Sequence, residues 1–189
     1  MQNLLNTIAE KITITPPLKT ALETSFQKVI IQKGTIILEE GTTARFLYFI
    51  DKGVLHNYYY HDGKQISSWF YTENHFITAW YSFYGQQPSF EAIECLEDCE
   101  LYRISYTDYQ KLILEFPEFN TFARLLSEEM LMIIDQMSKN WSFLTAKQKY
   151  EVLQSYFPQI ELRVKLGLIA SFLGISQETL SRLRGRREK

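Results

Sequence analysis

Hydrophobic and polar positions follow two rhythms along this chain. Through residues 1–28 the apolar side chains recur at helical spacing in two pieces, broken at Pro16-Pro17, with the second helical run spanning Lys19 to Phe26. From Val29 the rhythm shortens. The runs Val29–Ile31, Ile36–Leu38, Phe46–Ile50, Val54–Tyr60 and Ile66–Tyr71 are rich in β-branched and aromatic residues, separated by turns at Gly34, Gly41, Gly53 and Asp62-Gly63. Asp62-Gly63 marks a two-residue hairpin, because a type I′ turn needs positive φ at both central positions. Phe90–Cys95 and Glu100–Ile104 add another pair of strands. With no helix between successive strands, the pattern predicts a compact antiparallel roll.

After Ser105 the helical period returns. Asp108–Glu115 reads as a short helix stopped before Pro117, and a long helix follows from Glu118 to about Asn140. On it Ala123, Leu126, Met130, Ile133 and Met137, continued by Asn140 and Leu144, keep alternating steps of three and four residues. Such an a/d stripe suits a dimer seam between two parallel helices, or packing of the helix onto its own domain. Lys147–Phe157 forms another helix ended by Pro158.

The segment from Leu168 to Leu183 fits a helix-turn-helix position by position. Ala170 is small where two helices cross, Gly174 permits the positive φ of a tight turn, and Leu180 plugs the second helix into the first. Ile169, Leu173, Ile175 and Leu183 supply the remaining apolar contacts, and Ser176 is placed to cap the second helix. Gln177, Glu178, Ser181 and Arg182 are then left on the opposite face, with Thr179 beside the cap. Arginine can bond guanine O6 and N7, glutamate can accept from cytosine N4, and Ser or Thr can hold phosphates. A bland reading stands beside this one: Glu178 and Arg182 form an i,i+4 surface ion pair and contact nothing else.

Charge sharpens the picture. The 189-residue chain carries a net −2. Residues 1–144 hold 11 basic and 18 acidic side chains, whereas residues 145–189 hold 9 basic and 4 acidic ones. The positive excess sits on the helix-turn-helix and on a tail containing Arg186 and Arg187, which suggests a polyanionic partner. No apolar stretch approaches the roughly 20 residues of a membrane span, and the amino terminus shows no secretory pattern, so the expected location is cytoplasmic. Cys95 and Cys99 are too few for a disulfide framework and read as buried or half-buried thiols.

With its long helix and glycine-punctuated strands, the segment Ile169–Arg184 resembles the Crp/Fnr family of bacterial transcription regulators. Gly34, Gly41, Gly53 and Gly63 look like the family's roll turns, Leu96–Leu101 resembles a strand pair before its hinge, and Glu178, Thr179 and Arg182 match its recognition-helix pattern. The resemblance implies an α+β architecture: a jelly-roll-like antiparallel β-roll sensor at residues 1–116, a dimerisation helix at 117–144 and a small all-α helix-turn-helix domain at 145–189. It implies a homodimer that sets two recognition helices in successive major grooves of double-stranded DNA, about 34 Å apart. Helix positions would shift when an effector binds the roll. The DNA-contacting residues would be Ser176, Gln177, Glu178, Thr179, Ser181, Arg182, Arg186 and Arg187.

Two departures from the family pattern stand out. Only Gly185–Lys189 follow the recognition helix, too few for the usual β-hairpin wing, so the basic tail is expected to supply phosphate contacts instead. In the roll, cyclic-nucleotide-binding relatives hold phosphate with a Gly-Glu-Leu and an Arg-Ser/Thr-Ala segment. The matching stretches here are Phe76–Trp80 and Ser89–Ala92, and no Lys or Arg occurs between Lys64 and Arg103. A buried phosphate without a cation would suffer a large desolvation penalty, so cyclic AMP is not the expected ligand. The aromatic side chains here either fill the core or line a pocket for an uncharged effector, with Phe76, Thr78, Trp80, Ser89 and Phe90 as the candidate contacts, and Trp80–Tyr84 could alternatively be a surface loop that meets a partner. His56, His61 and His75 lack metal-site spacing, and no catalytic constellation, metal or cofactor is expected. The rival to a DNA-binding regulator is a ligand-binding or protein-interaction roll with a vestigial helix-turn-helix.

Overall fold

A computed structural model describes residues 1–185, so Arg186 and Arg187 lie outside the described residues. Helix α1 (Gln2–Ala9) buries Leu4, Leu5 and Ile8, and α2 (Pro16–Ser25) buries Leu18 and Leu22. Pro16-Pro17, expected to break a helix, begins one. Proline lacks the N–H that the first turn leaves unbonded, and its fixed φ suits that position.

Eight strands follow: β1 (Gln27–Ile31), β2 (Ile36–Leu38), β3 (Phe46–Lys52), β4 (Leu55–His61), β5 (Lys64–Tyr71), β6 (Phe76–Ile77), β7 (Ala92–Cys95) and β8 (Cys99–Ser105). They make two four-stranded sheets, in the orders β1-β8-β3-β6 and β2-β7-β4-β5, with every pairing antiparallel. Ile50, Leu55, Ile77, Ile93 and Leu101 fill the space between them, together with both cysteines, which are fully buried. The β4–β5 hairpin turns at Asp62 (φ 48°) and Gly63 (φ 71°), the conformation its sequence predicts. Further along this pair Asn57 lies opposite Trp69 but Tyr58 lies opposite Ser67. Ser68 is therefore an extra residue, a bulge that re-aims the side chains around it.

Between β6 and β7 the chain forms a short helix, α3 (Trp80–Gly85), where a surface loop was one expectation. Phe83 anchors it in the core. Helix α4 (Tyr106–Glu115) starts at Ser105, whose hydroxyl accepts the Asp108 N–H at 3.0 Å, and α5 (Pro117–Asn140) extends about 36 Å at 1.5 Å per residue. The first half of α5 is packed among α1, α2 and α4.

This packing takes the first two residues of the expected dimer seam into the chain's own core. Ala123 and Leu126, 5% and 4% exposed, belong to the chain's own core. Met130, Ile133 and Met137 turn toward the roll and the carboxy-terminal helices. The core of the chain thus takes in Ala123 and Leu126, while Met130, Ile133 and Met137 stay half-buried, and the large apolar side chains that α5 leaves exposed are Leu131, Met132 and Ile134.

A 3-10 turn at Trp141–Phe143 leads to α6 (Ala146–Tyr156), opened by a reciprocal cap between Thr145 and Gln148, and then to α7 (Leu166–Leu173) and α8 (Gln177–Gly185). Tyr150, Leu153, Phe157, Ile169, Leu173 and Leu180 form a second core that also takes in Val54 and Phe70 of the roll. Helix α7 covers β5, the edge of its sheet. The Ser67 N–H donates to Ser171 Oγ at 3.1 Å, and the Ser171 hydroxyl donates to the Gln65 carbonyl at 3.2 Å. Arg163 ties the same region to the roll by bonds to both Glu73 oxygens, 2.7 and 2.8 Å, and to Glu97. Among the described residues no helix is long and apolar enough to cross a membrane.

Candidate functional site

Two places in this fold carry chemistry that packing alone does not explain. The first is the α7–α8 pair. Gly174 takes φ 67° and closes α7, with its N–H donating to Ser171 O at 3.1 Å and the Ile175 N–H reaching Ala170 O at 3.0 Å. Ser176 caps α8 by accepting the Thr179 N–H at 3.1 Å. Leu180 is fully buried, and this rotation of α8 leaves Ser176, Gln177, Glu178, Thr179, Ser181 and Arg182 exposed on one surface. Not all of them point freely outward. The Gln177 amide lies back over Gly167, where a side chain of any size would collide with it. Arg182 and Glu178 form the i,i+4 ion pair, both about three-quarters exposed.

The second place is a cavity of about 770 Å³ where the roll, α5 and α7 meet. Asn57 and Tyr59 of β4 and Ser67, Ser68, Trp69 and Tyr71 of β5 form one wall. Met130, Ile133 and Met137 of α5 form another, closed by Trp141, while Ser171 and Phe172 of α7 complete it. Trp80 and Glu91 stand at the roll end. Four consecutive residues, Ile66, Ser67, Ser68 and Trp69, reach the same cavity, where the bulge at Ser68 breaks the alternation of a regular strand. Trp69 is held edge-on by Tyr156, Phe157 and Phe172, with ring centres 5.4–5.6 Å apart.

Among the described residues Glu91 is the one carboxylate lining this space, and no Lys, Arg or His lines it. Its oxygen accepts from the Ser68 hydroxyl at 3.2 Å. Burial pushes the Glu91 carboxyl above its ordinary range, against the pull of hydrogen bonds from Asn57 and Ser68. The Tyr71 phenol is pushed up by burial and then by the Glu91 charge, so it stays protonated. Of the lining residues, Asn57 Oδ1, Ser67 Oγ and Trp80 Nε1 are buried without a hydrogen-bond partner. Outside the lining, Lys149 Nζ sits 5.3 Å from the Trp141 ring centre.

The five effector contacts expected from sequence do not come together. Trp80 alone lines the large cavity. Phe76 is packed against Phe49 and Phe122 in the core. Thr78 donates to the Phe46 carbonyl at 2.9 Å, and Ser89 to the Glu91 carbonyl at 2.7 Å, so both hydroxyls bond within the roll. Phe90 is 69% exposed and packs on Tyr81 at 4.8 Å. The reason is local: the chain turns from β6 into α3 at Ala79, which sends neighbouring side chains to different surfaces. Sequence reasoning missed Asn57, Ser67, Ser68 and Ser171, although polar residues within an apolar strand were a usable signal. His56, fully buried, bonds Glu94 at 3.2 Å and is lowered by burial, with Glu94 opposing, whereas His61 faces solvent. No group of three metal-ligating side chains occurs among the described residues.

With roll, connecting helix and carboxy-terminal helices in place, comparison with known proteins defines the class of fold. Residues 28–116, from β1 to the end of α4, match the cyclic nucleotide-binding domain family. No curated protein matches the chain. Among solved structures the chain is similar to the catabolite activator protein of Thermus thermophilus, at 20% identity over 92% of this chain and 83% of that one, with a TM-score of 0.59. It is similar to a CooA mutant from Carboxydothermus hydrogenoformans, at 17% identity over 94% and 86%, TM-score 0.69. It is also similar to the c-di-GMP responsive global regulator CLP of Xanthomonas campestris, at 18% identity over 90% of each chain, TM-score 0.66. The fold is that of the Crp/Fnr regulators.

Proposed function

We propose that this chain is a sequence-specific, DNA-binding transcription regulator of Crp/Fnr type, organised as a sensor roll at 1–116, a dimer helix at 117–144 and a DNA-contacting module at 145–189. The observation that carries the reading is the seating of α8. Leu180 is driven into the core while a capped, polar helix face is left to solvent. In a major groove that face would offer Arg182 to guanine and Glu178 to cytosine, with Ser176 and Thr179 near phosphates. The Glu178–Arg182 pair is no obstacle, since an exposed ion pair is worth about 0–1 kcal/mol and exchanges readily for base contacts. Arg186 and Arg187 would add phosphate contacts. The homodimer would form through α5, on the side that exposes Leu131, Met132 and Ile134. An occupant of the cavity would touch the roll, α5 and α7 together, so its arrival would bear directly on the helix that carries α8.

Fluorescence anisotropy against random and selected duplexes over a salt series tests this. Arg182→Ala is expected to weaken the selected duplex roughly ten- to a hundredfold, from the 1–3 kcal/mol of a bidentate base contact, and to change random-duplex binding little. Absence of binding to any duplex at low salt would refute the proposal. Cyclic AMP is expected to leave the tryptophan fluorescence of the protein unchanged, because the cavity lining holds no cation for the phosphate.

A further inference from the structure

The cavity sets one carboxylate and a few buried polar atoms inside an aromatic box. All three tryptophans of the chain, Trp69, Trp80 and Trp141, line it, joined by Tyr59 and Tyr71. Ring faces carry negative charge density and attract cations, most strongly when desolvated. Acceptors lead among the polar groups, with the Trp80 indole N–H a buried donor beside them. Glu91 brings a carboxylate, and Asn57 Oδ1 brings a carbonyl oxygen with no donor, on a side chain only 2% exposed. Ser67, 3% exposed, contributes a hydroxyl oxygen that is likewise unpartnered. Buried polar atoms in a finished core are satisfied, so unpartnered atoms on residues that line a cavity mark bonds an occupant can complete. Glu91 and the Asn57 oxygen favour an occupant that brings N–H donors and positive charge.

The alternatives meet specific opposition. A phosphate or carboxylate would face Glu91 with no Lys, Arg or His among the described lining residues to offset the repulsion. A wholly apolar guest would leave the Glu91 charge to Ser68 and Asn57 alone, and the Asn57 oxygen unmet, in a drier site than before. An ammonium group resting on the indole faces can donate to both. The volume of about 770 Å³ lies within the range of small-molecule sites and leaves room for an apolar or aromatic body against Met130, Ile133 and Phe172.

We propose that this cavity binds an organic amine, with its ammonium group held by Glu91 and Asn57 among the tryptophan rings and its apolar body against α5 and α7. The proposal rests on reading the cavity as the effector site of the regulator, and it replaces the uncharged effector expected from sequence with a cation. Burial keeps the empty Glu91 carboxyl above its ordinary range, and an ammonium partner would favour its ionised form.

Three probes share one skeleton and differ in charge: phenethylamine, 2-phenylethanol and phenylacetate. Tryptophan fluorescence reads the site directly, since every tryptophan lines it. Phenethylamine is expected to bind at least about tenfold more tightly than the alcohol, the effect of a charged hydrogen bond and cation–π contact, and phenylacetate most weakly. Glu91→Gln keeps an acceptor oxygen for Ser68 and is expected to bring the amine to within about threefold of the alcohol, with an unchanged circular dichroism spectrum. Equal or tighter binding of the alcohol or phenylacetate would overturn the amine assignment while leaving a ligand site. No fluorescence response to any probe, or full amine preference retained in Glu91→Gln, would overturn it as well. Duplex anisotropy on the same preparation separates the two proposals, because failure of the amine site leaves DNA binding untouched.

Discussion

Arg163→Ala is expected to lower stability by about 2 kcal/mol at neutral pH and to loosen the carboxy-terminal helices from the roll. Arg163 spans two carboxylates from separate turns of the roll, Glu73 after β5 and Glu97 between β7 and β8. All three side chains are about 30% exposed, so removing the arginine strands two half-buried charges. Breaking a fully buried pair costs about 3–5 kcal/mol, and the remaining solvent access here brings the figure down. The pH dependence carries the signature. Burial by itself would raise the Glu73 carboxyl, but bonds from Arg163 and from the Gly53 and Glu73 N–H groups outweigh it and hold the group at about 2, below the 4.5 of the unfolded chain. The stabilisation is therefore complete above pH 4.5 and is lost as pH falls toward 2. Urea titrations of both proteins, followed by tryptophan emission, should show a gap in ΔG at neutral pH that narrows through that window. A gap independent of pH would show that Arg163 acts through packing alone.

How much of this was legible beforehand depends on how far apart the cooperating residues lie in the chain. The hairpin at Asp62-Gly63 and the α7–α8 turn at Gly174 are set by neighbours, and both were readable from residue type. The stripe on α5 was readable as a stripe. Its partner was not, because a repeat of three and four residues is the same whether Ala123 and Leu126 meet another copy or Phe119 and Phe122 of their own core. The cavity was the least legible feature. It joins β4, β5, α5 and α7, segments more than a hundred residues apart at the extremes, through a bulge at Ser68 that appears only once the register is known. Glu91 shows the difference most clearly. In sequence it is one acidic residue in a stretch without Lys or Arg, whereas in the fold it is a carboxylate lining the cavity.

Gly53→Ala is expected to be the most damaging single-methyl substitution in the roll, at about 4 kcal/mol, from about 1–3 each for backbone strain and overpacking. Gly53 sits at φ 121°, a conformation essentially closed to side chains, and an added Cβ would run into the Cys99 sulfur and backbone. Cys99 cannot yield easily, being fully buried at the start of β8. The consequences extend beyond the turn. The Gly53 N–H donates to Glu73 at 2.9 Å, the same carboxylate that Arg163 grips, and the next residue, Val54, packs in the core of the carboxy-terminal helices. A shift of this backbone therefore weakens both the roll and the seat of α7 and α8. Gly63→Ala provides the control: its φ of 71° is also positive, but nothing lies within 4 Å of the new methyl, so only about 1 kcal/mol of strain is expected. At 2–4 °C per kcal/mol for a chain of this size, thermal melts should place the Gly53 variant roughly 8–16 °C below the parent and the Gly63 variant within about 4 °C of it. Equal midpoints for the two variants would mean that the Cys99 contact relaxes freely and that backbone strain alone makes glycine necessary at position 53.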